Sequence, residues 1–229
     1  MRGTLVNAAA VLVGSGIGLL AGARLPERLQ RIITTGLGLA TLLIGLQMAF
    51  KVENLLVVIA SLVVGGVCGE LVNIEGGLER AGARLQDLAR SQSSTFVTGF
   101  VTASLVFCVG PMTIVGAIQE GTGGSATLLY TKSLLDGAAA VAFASSLGVG
   151  VSFAALTVLV YQGLLTLLGR ELAFLLRPEV LNELTATGGL LIVAIGLRLL
   201  DIKRLPVANL LPALVVAVLL TAARLQLGW

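Results

Sequence analysis

TLVNAAAVLVGSGIGLLAG, residues 4–22, is a run of 19 residues without a charged side chain. A helix of this length is about 28 Å long, which matches the hydrocarbon core of a bilayer. Arg2 precedes the run, so the segment also has the outline of a secretory signal peptide. Its length and the apolar runs that follow it favour a retained first membrane span.

The composition of the chain extends this interpretation to the whole sequence. Of its 229 residues, 56% are hydrophobic and 12% are charged, whereas soluble domains carry about 25% charged residues. The apolar residues occur in long blocks and do not alternate with polar ones, which favours helices over a transmembrane β-barrel. The net charge of +3 reflects the placement of loops, so it does not predict nucleic-acid binding.

The apolar blocks predict an all-α fold, a polytopic transmembrane helical bundle of about eight spans in a single domain, residues 1–229. The fifth block is roughly one turn shorter than a usual span, so seven spans and a re-entrant segment are the alternative. Polar segments at 75–91 and 170–183 have apolar residues at helical spacing, which predicts amphipathic helices at the interface. The predicted spans are 4–22, 33–50, 54–72, 96–119, 132–147, 151–169, 184–200 and 205–224.

An internal repeat predicts how the bundle is organised. The segment ERLQRIITTGLGLATLLIGL at 27–46 aligns, with one gap, with EVLNELTATGGLLIVAIGL at 179–197. The spans that follow, at 54–64 and 209–220, are also similar. An odd number of crossings separates the copies, which predicts an inverted-topology repeat, and chance similarity of amphiphilic helices is the alternative. The predicted parts are the halves 1–73 and 150–229 and a central site-forming segment, 95–148.

The charges of the loops agree with such an inversion. The loop before the first copy has a net charge of +2, whereas residues 170–183, before the second copy, have a net charge of −1. After the copies the order reverses, since Lys51 and Glu53 cancel and residues 198–204 sum to +2. Basic loops lie on the cytoplasmic side, so the pattern predicts that both termini lie outside.

A proline interrupts the fourth span, in the segment FCVGPMTIVGAIQEG at 107–121. Pro111 has no N–H to donate and crowds the carbonyl of Phe107, so the sequence predicts a broken helix. Backbone groups freed at such a break need protein or water partners inside a membrane. A kinked helix whose threonines bond to their own backbone is the alternative to a substrate or ion path. The predicted path residues of this segment are Thr98, Thr102, Ser104, Pro111, Thr113, Gln119 and Glu120.

Lys132 and Asp136 lie four residues apart on one face of the fifth predicted span. An unpaired charge at the bilayer centre costs about 2.5–3.5 kcal/mol on insertion scales, and attraction within the pair reduces this cost. Ser133 is within reach of Asp136 at i, i+3, and Asn7 is a lone polar residue of the first span that joins the predicted site. A charged pair beside a broken helix is typical of transporter sites. The alternative is a helix start at the interface, with Lys132 extending to the headgroups.

The other polar and small residues predict helix contacts, and no catalytic, metal or cofactor site is predicted. Gln47 and Gln162 are lone amides that hydrogen bonds between helices explain. The glycines of GSGIG at 14–18 lack the preceding strand of a dinucleotide loop, so they predict close helix packing. Such glycine-rich faces are also compatible with close packing of two copies in a homodimer. The chain has no histidine, and Cys68 and Cys108 form no CxxC pattern, so no enzyme is predicted.

The chain contains, in this order, the motifs GTLVNAAAVLVGSGIGLL, GELVNIEGGLER, GFVTASLVFCVGPMTIVGAIQEG, LLYTKSLLDG, FASSLGVGV, YQGL and NLLPAL. Together they resemble the signature segments of the bacterial integral-membrane family called domain of unknown function 554, over essentially the whole chain. The resemblance implies the bacterial inner membrane and leaves the activity open. It also implies that many members have a small residue at the position of Pro111, so that the proline strengthens a kink. It implies an aspartate at the position of Glu120 in many members, so that the carboxylate group matters more than the length of the side chain.

These observations predict a small membrane transporter or channel for an ion or small polar solute. The polar residues of the broken helix would line the path, with Lys132 and Asp136 as a charge switch or coupling pair. Inverted repeats suit alternating access about a fixed site. The alternatives are a non-transporting scaffold or regulatory membrane protein, and an intramembrane enzyme, which lacks a recognisable catalytic motif. The predicted partners are the lipid bilayer, the ion or solute and a second copy in a homodimer, with no nucleic acid and no cofactor.

Overall fold

The computed structural model describes residues 1–23 and 25–227, and within them it contains ten α-helices and no strand. This confirms the all-α class. The helices are α1 (Arg2–Gly22), α2 (Glu27–Ala49), α3 (Leu55–Val72), α4 (Ile74–Leu88), α5 (Phe96–Val109), α6 (Pro111–Gly121), α7 (Thr127–Leu147), α8 (Gly150–Leu167), α9 (Pro178–Leu199) and α10 (Pro212–Leu227), with 3₁₀ turns at Ala173–Leu176 and Val207–Leu210.

Six helices of the described residues are long and apolar enough to cross a membrane, and the bent pair of α5 and α6 brings the number to seven if it forms one broken span and not a re-entrant loop. The fifth predicted span, 132–147, is not among them. It lies within α7, whose 21 residues have the length of a span. Lys132 and Asp136 lower the mean hydropathy of α7, which explains why this helix is long enough for a span but less apolar than the other candidates.

The predicted amphipathic helix at 170–183 is wrong, whereas the one at 75–91 forms as α4. A 3₁₀ turn at Ala173–Leu176 precedes Arg177, whose backbone is extended (φ −60°, ψ 132°). Pro178 then occupies the first position of α9. A residue before proline avoids the helical region, and the proline itself is favoured at a helix start. The chain therefore breaks at Arg177 and continues directly into a membrane span.

The predicted break at Pro111 is confirmed, since α5 and α6 meet at an angle of 59°. Gly110 between them has an extended backbone (φ −67°, ψ 147°), and Pro111 starts α6. Pro111 leaves the carbonyl of Phe107 without its usual helical donor, and the hydroxyl of Thr113 donates to that carbonyl at 2.9 Å. The break is thus satisfied inside the protein, as a membrane interior requires.

The surface has the pattern expected in lipid, with large apolar side chains exposed and polar ones buried. Leu71 is 82% exposed and Leu134 is 77% exposed, whereas Asn7 and Glu183 are completely buried. In water, exposing so much apolar surface would be unfavourable. The pattern indicates that lipid tails cover these helices.

The chain divides into two compact units, of which the first comprises Met1–Leu37 and Glu79–Ala173. Within it α1 and α7 run parallel and very close, because Gly14 lies against the backbone of Gly137 and Gly18 lies against that of Val141. The helix α8 runs antiparallel to α1, since Thr4 contacts Thr166 whereas Asn7, one turn later in α1, contacts Gln162, one turn earlier in α8. Small residues at helix contacts of this kind let backbones approach closely in membranes.

The second unit comprises Gly38–Leu78 and the described residues from Phe174 onward. Within it α2 packs antiparallel to α9, with Gly38 against Leu200 and Gly45 against Gly189. The helices α3 and α10 are likewise antiparallel where Gly65 meets Ala213. These are the helices whose sequences align, but antiparallel packing of neighbours does not by itself establish a repeat. The inverted repeat and its boundaries stay a prediction.

Candidate functional site

Six buried polar residues from three helices of the first unit form a connected hydrogen-bonded group, which we call the polar cluster. The helix α1 contributes two of them, α7 contributes an ion pair, and α8 contributes two more. Polar side chains are rare inside membrane proteins, and when they occur they pair with one another or mark functional sites. The members of the polar cluster are Thr4, Asn7, Lys132, Asp136, Gln162 and Thr166.

The ion pair of Lys132 and Asp136 is the charged part of the cluster. The ammonium group of Lys132 contacts the Asp136 carboxylate, as the i, i+4 spacing predicts. Asp136 is the tenth of the 21 residues of α7, near the middle of the helix. Lys132 is 4% exposed and Asp136 is 8% exposed. This burial is a correction to the alternative in which Lys132 extends to the headgroups, because a snorkelling ammonium would be exposed.

Asn7 connects the ion pair to the rest of the cluster. Its side-chain nitrogen donates to Oδ2 of Asp136 at 2.9 Å and to Oε1 of Gln162 at 3.0 Å. Both neighbours are acceptors, and this fixes the end of the amide that faces them. The oxygen of Asn7 is therefore directed elsewhere, and it is buried with no hydrogen-bond partner among the described residues. An unsatisfied buried carbonyl is unfavourable by about 1–3 kcal/mol, and it marks a point where a donor or cation would be stabilised.

Gln162 extends the cluster along α8 towards the start of α1. Its nitrogen donates to the hydroxyl of Thr4 at 3.2 Å, and Thr4 lies 3.4 Å from the hydroxyl of Thr166. Thr166 in turn donates to the backbone carbonyl of Gln162 at 2.9 Å. The hydroxyls thus form a polar line from the ion pair to one end of the helices.

Two predicted site residues near the cluster have other partners. The hydroxyl of Ser133 donates to the carbonyl of Leu129 at 2.7 Å and not to Asp136, which corrects the predicted i, i+3 contact. A serine hydroxyl inside a helix often bonds back to the preceding turn in this way. Glu120 forms an ion pair of 2.9 Å with the terminal ammonium group of Met1 and accepts a hydrogen bond of 3.0 Å from the backbone nitrogen of Gly3. Its carboxylate therefore caps the N-terminus of α1, where the helix dipole favours a negative charge.

The remaining predicted path residues lie along α5 and α6 with separate environments. Ser104 shares a hydrogen bond of 2.9 Å with Thr157 of α8, and Thr113 satisfies the carbonyl at the break. Thr102 is buried, Thr98 is half-buried and Gln119 is exposed. The bend of 59° at Pro111 separates the predicted path residues of α5 from those of α6. A continuous path through these residues stays a prediction.

Sequence reasoning missed the membership of Thr4, Gln162 and Thr166 in the cluster. The available signal was the presence of Gln162 and Asn7 as lone amides, one in each of two apolar helices. Helical spacing relates residues of one helix only, so it does not indicate which helices are neighbours. Cys108 of α5 also lies within electrostatic range of Lys132 and Asp136.

The cluster combines charged groups with neutral hydrogen-bonding groups. It contains one positive and one negative charge, an unpaired amide oxygen, and hydroxyls that both donate and accept. Among the described residues there is no group of three or more His, Cys, Asp and Glu side chains placed to hold a metal ion. Such a set suits the binding of a small charged or polar species by exchange of hydrogen bonds and ion pairs.

Comparison with known proteins gives a family and two relatives. Residues 2–222 match the family model described as "Protein of unknown function (DUF554)". The "Uncharacterized protein YqgA" of Escherichia coli is 37% identical over 226 residues, covering 96% of each chain. The "Uncharacterized membrane protein YdfK" of Bacillus subtilis is 31% identical over 221 residues, covering 94% of this chain and 93% of its own. No solved structure matches.

Proposed function

The chain belongs to the DUF554 family, and on that premise we propose that it is a membrane transporter or channel for an ion or small polar solute, with the polar cluster as its site. Its being a multi-pass membrane protein follows from the helices and agrees with the name of the Bacillus relative. The transport function is supported by the position and composition of the polar cluster.

The observation that carries the proposal is a charged pair near the middle of α7 that is bound by an incompletely satisfied amide. Keeping an ion pair in a low-dielectric interior is unfavourable because both ions lose their hydration, and apolar residues of similar volume are often at least as stabilising. The unpartnered oxygen of Asn7 adds to this unfavourable free energy. A dry packing role requires neither feature, whereas paired ionisable residues inside membrane segments mark substrate and ion pathways.

Transport also requires a second conformation, because the cluster is closed to its surroundings in this structure. The break at Gly110 supplies a hinge, and α6 beyond it packs on α7 and α8. Glu120 near the end of α6 holds the start of α1. Rotation of α6 about the hinge would pull on the first turn of α1, where Thr4 belongs to the cluster, and open it at that end. Discontinuous helices form the substrate and ion sites of many transporters.

A second candidate function is a non-transporting scaffold or regulatory membrane protein. The observation in its favour is that the hydrogen bonds of the cluster join α1, α7 and α8 while Asn7 and Gln162 are completely buried. Such a network fixes helix packing without any ligand. The two functions differ in whether substitutions at Asp136 abolish a flux or only lower stability.

Electrical recording from proteoliposomes on a solid-supported membrane tests the proposal. Steps of Na⁺, K⁺, Li⁺, NH₄⁺, H⁺, Cl⁻ and small polar solutes are applied to the wild type, to Asp136→Asn and to Gln47→Ala. Gln47 is exposed on α2 and serves as the matched control. The proposal expects a transient current for at least one step that is lost in Asp136→Asn and retained in Gln47→Ala. No current for any step, or an unchanged current in a folded Asp136→Asn variant, contradicts it.

The proposal includes a bacterial inner-membrane location with both termini outside, as the loop charges and the family resemblance predict. Cysteines introduced as Arg28→Cys and Glu179→Cys should then label from opposite sides of the membrane, and labelling from one side would contradict the inverted repeat. The chain is further proposed not to be an enzyme, since its sequence has no histidine and no recognisable catalytic motif. A homodimer stays a prediction, and cross-linking in the membrane tests it.

A further inference from the structure

A second buried acidic site lies in the other compact unit, at Glu183 of α9. The residue is completely buried and is the sixth residue of α9, a helix long and apolar enough to cross a membrane. One carboxylate oxygen, Oε1, accepts from the backbone nitrogens of Asn54 at 2.5 Å and Glu53 at 3.2 Å. These donors lie at the start of α3, where the helix dipole stabilises a negative group. Oε1 therefore has a structural role.

The other oxygen, Oε2, has no such role. It is buried and has no hydrogen-bond partner among the described residues. Thr187 lies one helical turn further along the same face of α9, is completely buried, and its hydroxyl also lacks a partner within the described part of the chain. Neighbours at i, i+4 are about 5–6 Å apart at their Cβ atoms. Two unsatisfied oxygens thus lie on one face of one buried helix.

The charges around Glu183 do not neutralise it by direct contact. No salt bridge to Glu183 occurs in the described residues. Charged groups within electrostatic range include the exposed carboxylate of Glu53 and the half-buried guanidinium of Arg224. The two backbone donors stabilise only Oε1, and a buried ionised carboxylate is unfavourable when part of it is left without a hydrogen bond or a counter-charge. A small cation on the free oxygen supplies that counter-charge.

We propose that Glu183 Oε2 and Thr187 Oγ1 bind a small monovalent cation, either a proton or an alkali-metal ion such as Na⁺. Carboxylate and hydroxyl oxygens suit both, and intramembrane carboxylates serve both kinds of ion in transport proteins. The site belongs to the second compact unit, whereas the polar cluster belongs to the first. It does not depend on the transport proposal, because a structural cation would occupy it equally well.

Thermal unfolding of the purified protein in lipid nanodiscs tests this inference. A cation that binds only the folded protein raises the unfolding temperature with its concentration. In one arm Na⁺, Li⁺ or K⁺ replaces N-methylglucamine at constant ionic strength, and in the other the pH is varied without alkali-metal ions. We expect the wild type to respond in at least one arm and Glu183→Gln to lose that response. A response to alkali-metal ions identifies a metal-ion site, whereas a response to pH alone identifies a proton site.

Glu171→Gln is the matched control, because it removes an exposed carboxylate that precedes α9 and lies three turns' length of chain before the proposed site. It should respond as the wild type does. The inference is overturned if the wild type responds in neither arm, or if Glu183→Gln responds as strongly as the wild type. If Glu183→Gln does not fold, Glu183→Asp and Thr187→Val replace it. Each should weaken the response midpoint by about tenfold, as loss of ideal ligand placement does elsewhere, and unchanged midpoints in both also overturn the inference.

Discussion

The side-chain nitrogen of Asn7 donates a hydrogen bond of 2.9 Å to the carboxylate of Asp136, although 129 residues separate them in the sequence. This contact joins α1 to the charged pair of α7 deep inside the first compact unit. The two helices run parallel, and their glycines bring the backbones close enough for the short asparagine side chain to reach. The polar cluster therefore depends on the packing of small residues around it.

The ion pair itself gives the first prediction. Removing one partner leaves an uncompensated buried charge, which is unfavourable by about 3–5 kcal/mol, whereas removing both leaves no charge. Lys132→Ala and Asp136→Ala should each destabilise the protein more than the double substitution does. Unfolding titrations with SDS measure the four members of this cycle.

The control for that cycle is the exposed pair of Arg31 and Glu27, whose side chains are 80% and 88% exposed and lie 3.5 Å apart. Exposed pairs contribute little, so this cycle should show no measurable coupling. If the two substitutions at Lys132 and Asp136 are additive, so that their coupling energy is no larger than that of the exposed pair, a direct buried interaction is contradicted.

Asn7 gives the second prediction. Asn7→Asp would place a second carboxylate against Asp136 and Gln162 Oε1, so repulsion should destabilise the protein more than Asn7→Ala, which only removes two hydrogen bonds. We expect Asn7→Ala to lose about 1–3 kcal/mol, since acceptors remain buried without their donor. Thermal unfolding in detergent ranks the two variants. An Asn7→Asp variant as stable as the wild type would contradict the assigned contacts.

The break at Pro111 gives the third prediction. Thr113→Val keeps the shape of the side chain and removes the hydroxyl that satisfies the Phe107 carbonyl, so it should lower the stability by about 1–3 kcal/mol. Thr113→Ser keeps the hydroxyl and should be close to the wild type. SDS titration of both variants provides the measurement. Equal losses in the two variants would mean that the methyl packing, and not the hydrogen bond, is important.

Close packing of α1 on α7 gives the fourth prediction. A methyl group at Gly14 would collide with the backbone carbonyl of Gly137, whereas one at Gly16 would have no neighbour within 4 Å. Gly14→Ala should therefore destabilise the protein and disrupt the polar cluster. Gly16→Ala, on the same helix, should stabilise it by up to about 1 kcal/mol, because alanine has the higher helix propensity. Similar effects of both substitutions on the unfolding temperature would be inconsistent with this interface.

The sequence predicted those features that depend on one helix alone. The contact of Lys132 with Asp136 follows from the i, i+4 geometry, and the break follows from the missing N–H of Pro111. The helical class follows from the length and composition of the apolar runs. These properties are local, so a single sequence contains them.

Features that depend on helix neighbours were not predictable. The sequence analysis included Glu120 with the threonines of α5 among the predicted path residues, but its carboxylate caps α1 because the start of α1 packs beside α6. In the same way, Gln162 joins Asn7 because α8 runs antiparallel to α1. The angle of the break was also unpredictable, since a proline allows many bends and the surrounding packing selects one.

Access of water to the polar cluster tests the central claim most directly. Cys108 is buried and lies within electrostatic range of Lys132 and Asp136, so in a Cys68→Ala background it is a single native probe for radiolytic hydroxyl-radical labelling in nanodiscs. The reference is Cys68→Ala with Cys108→Ala and Ala103→Cys, which places the thiol at a completely buried position elsewhere on α5. A site that opens to its surroundings predicts labelling of Cys108 well above this reference. Labelling no faster than the reference would show a permanently dry cluster and would contradict the transport function.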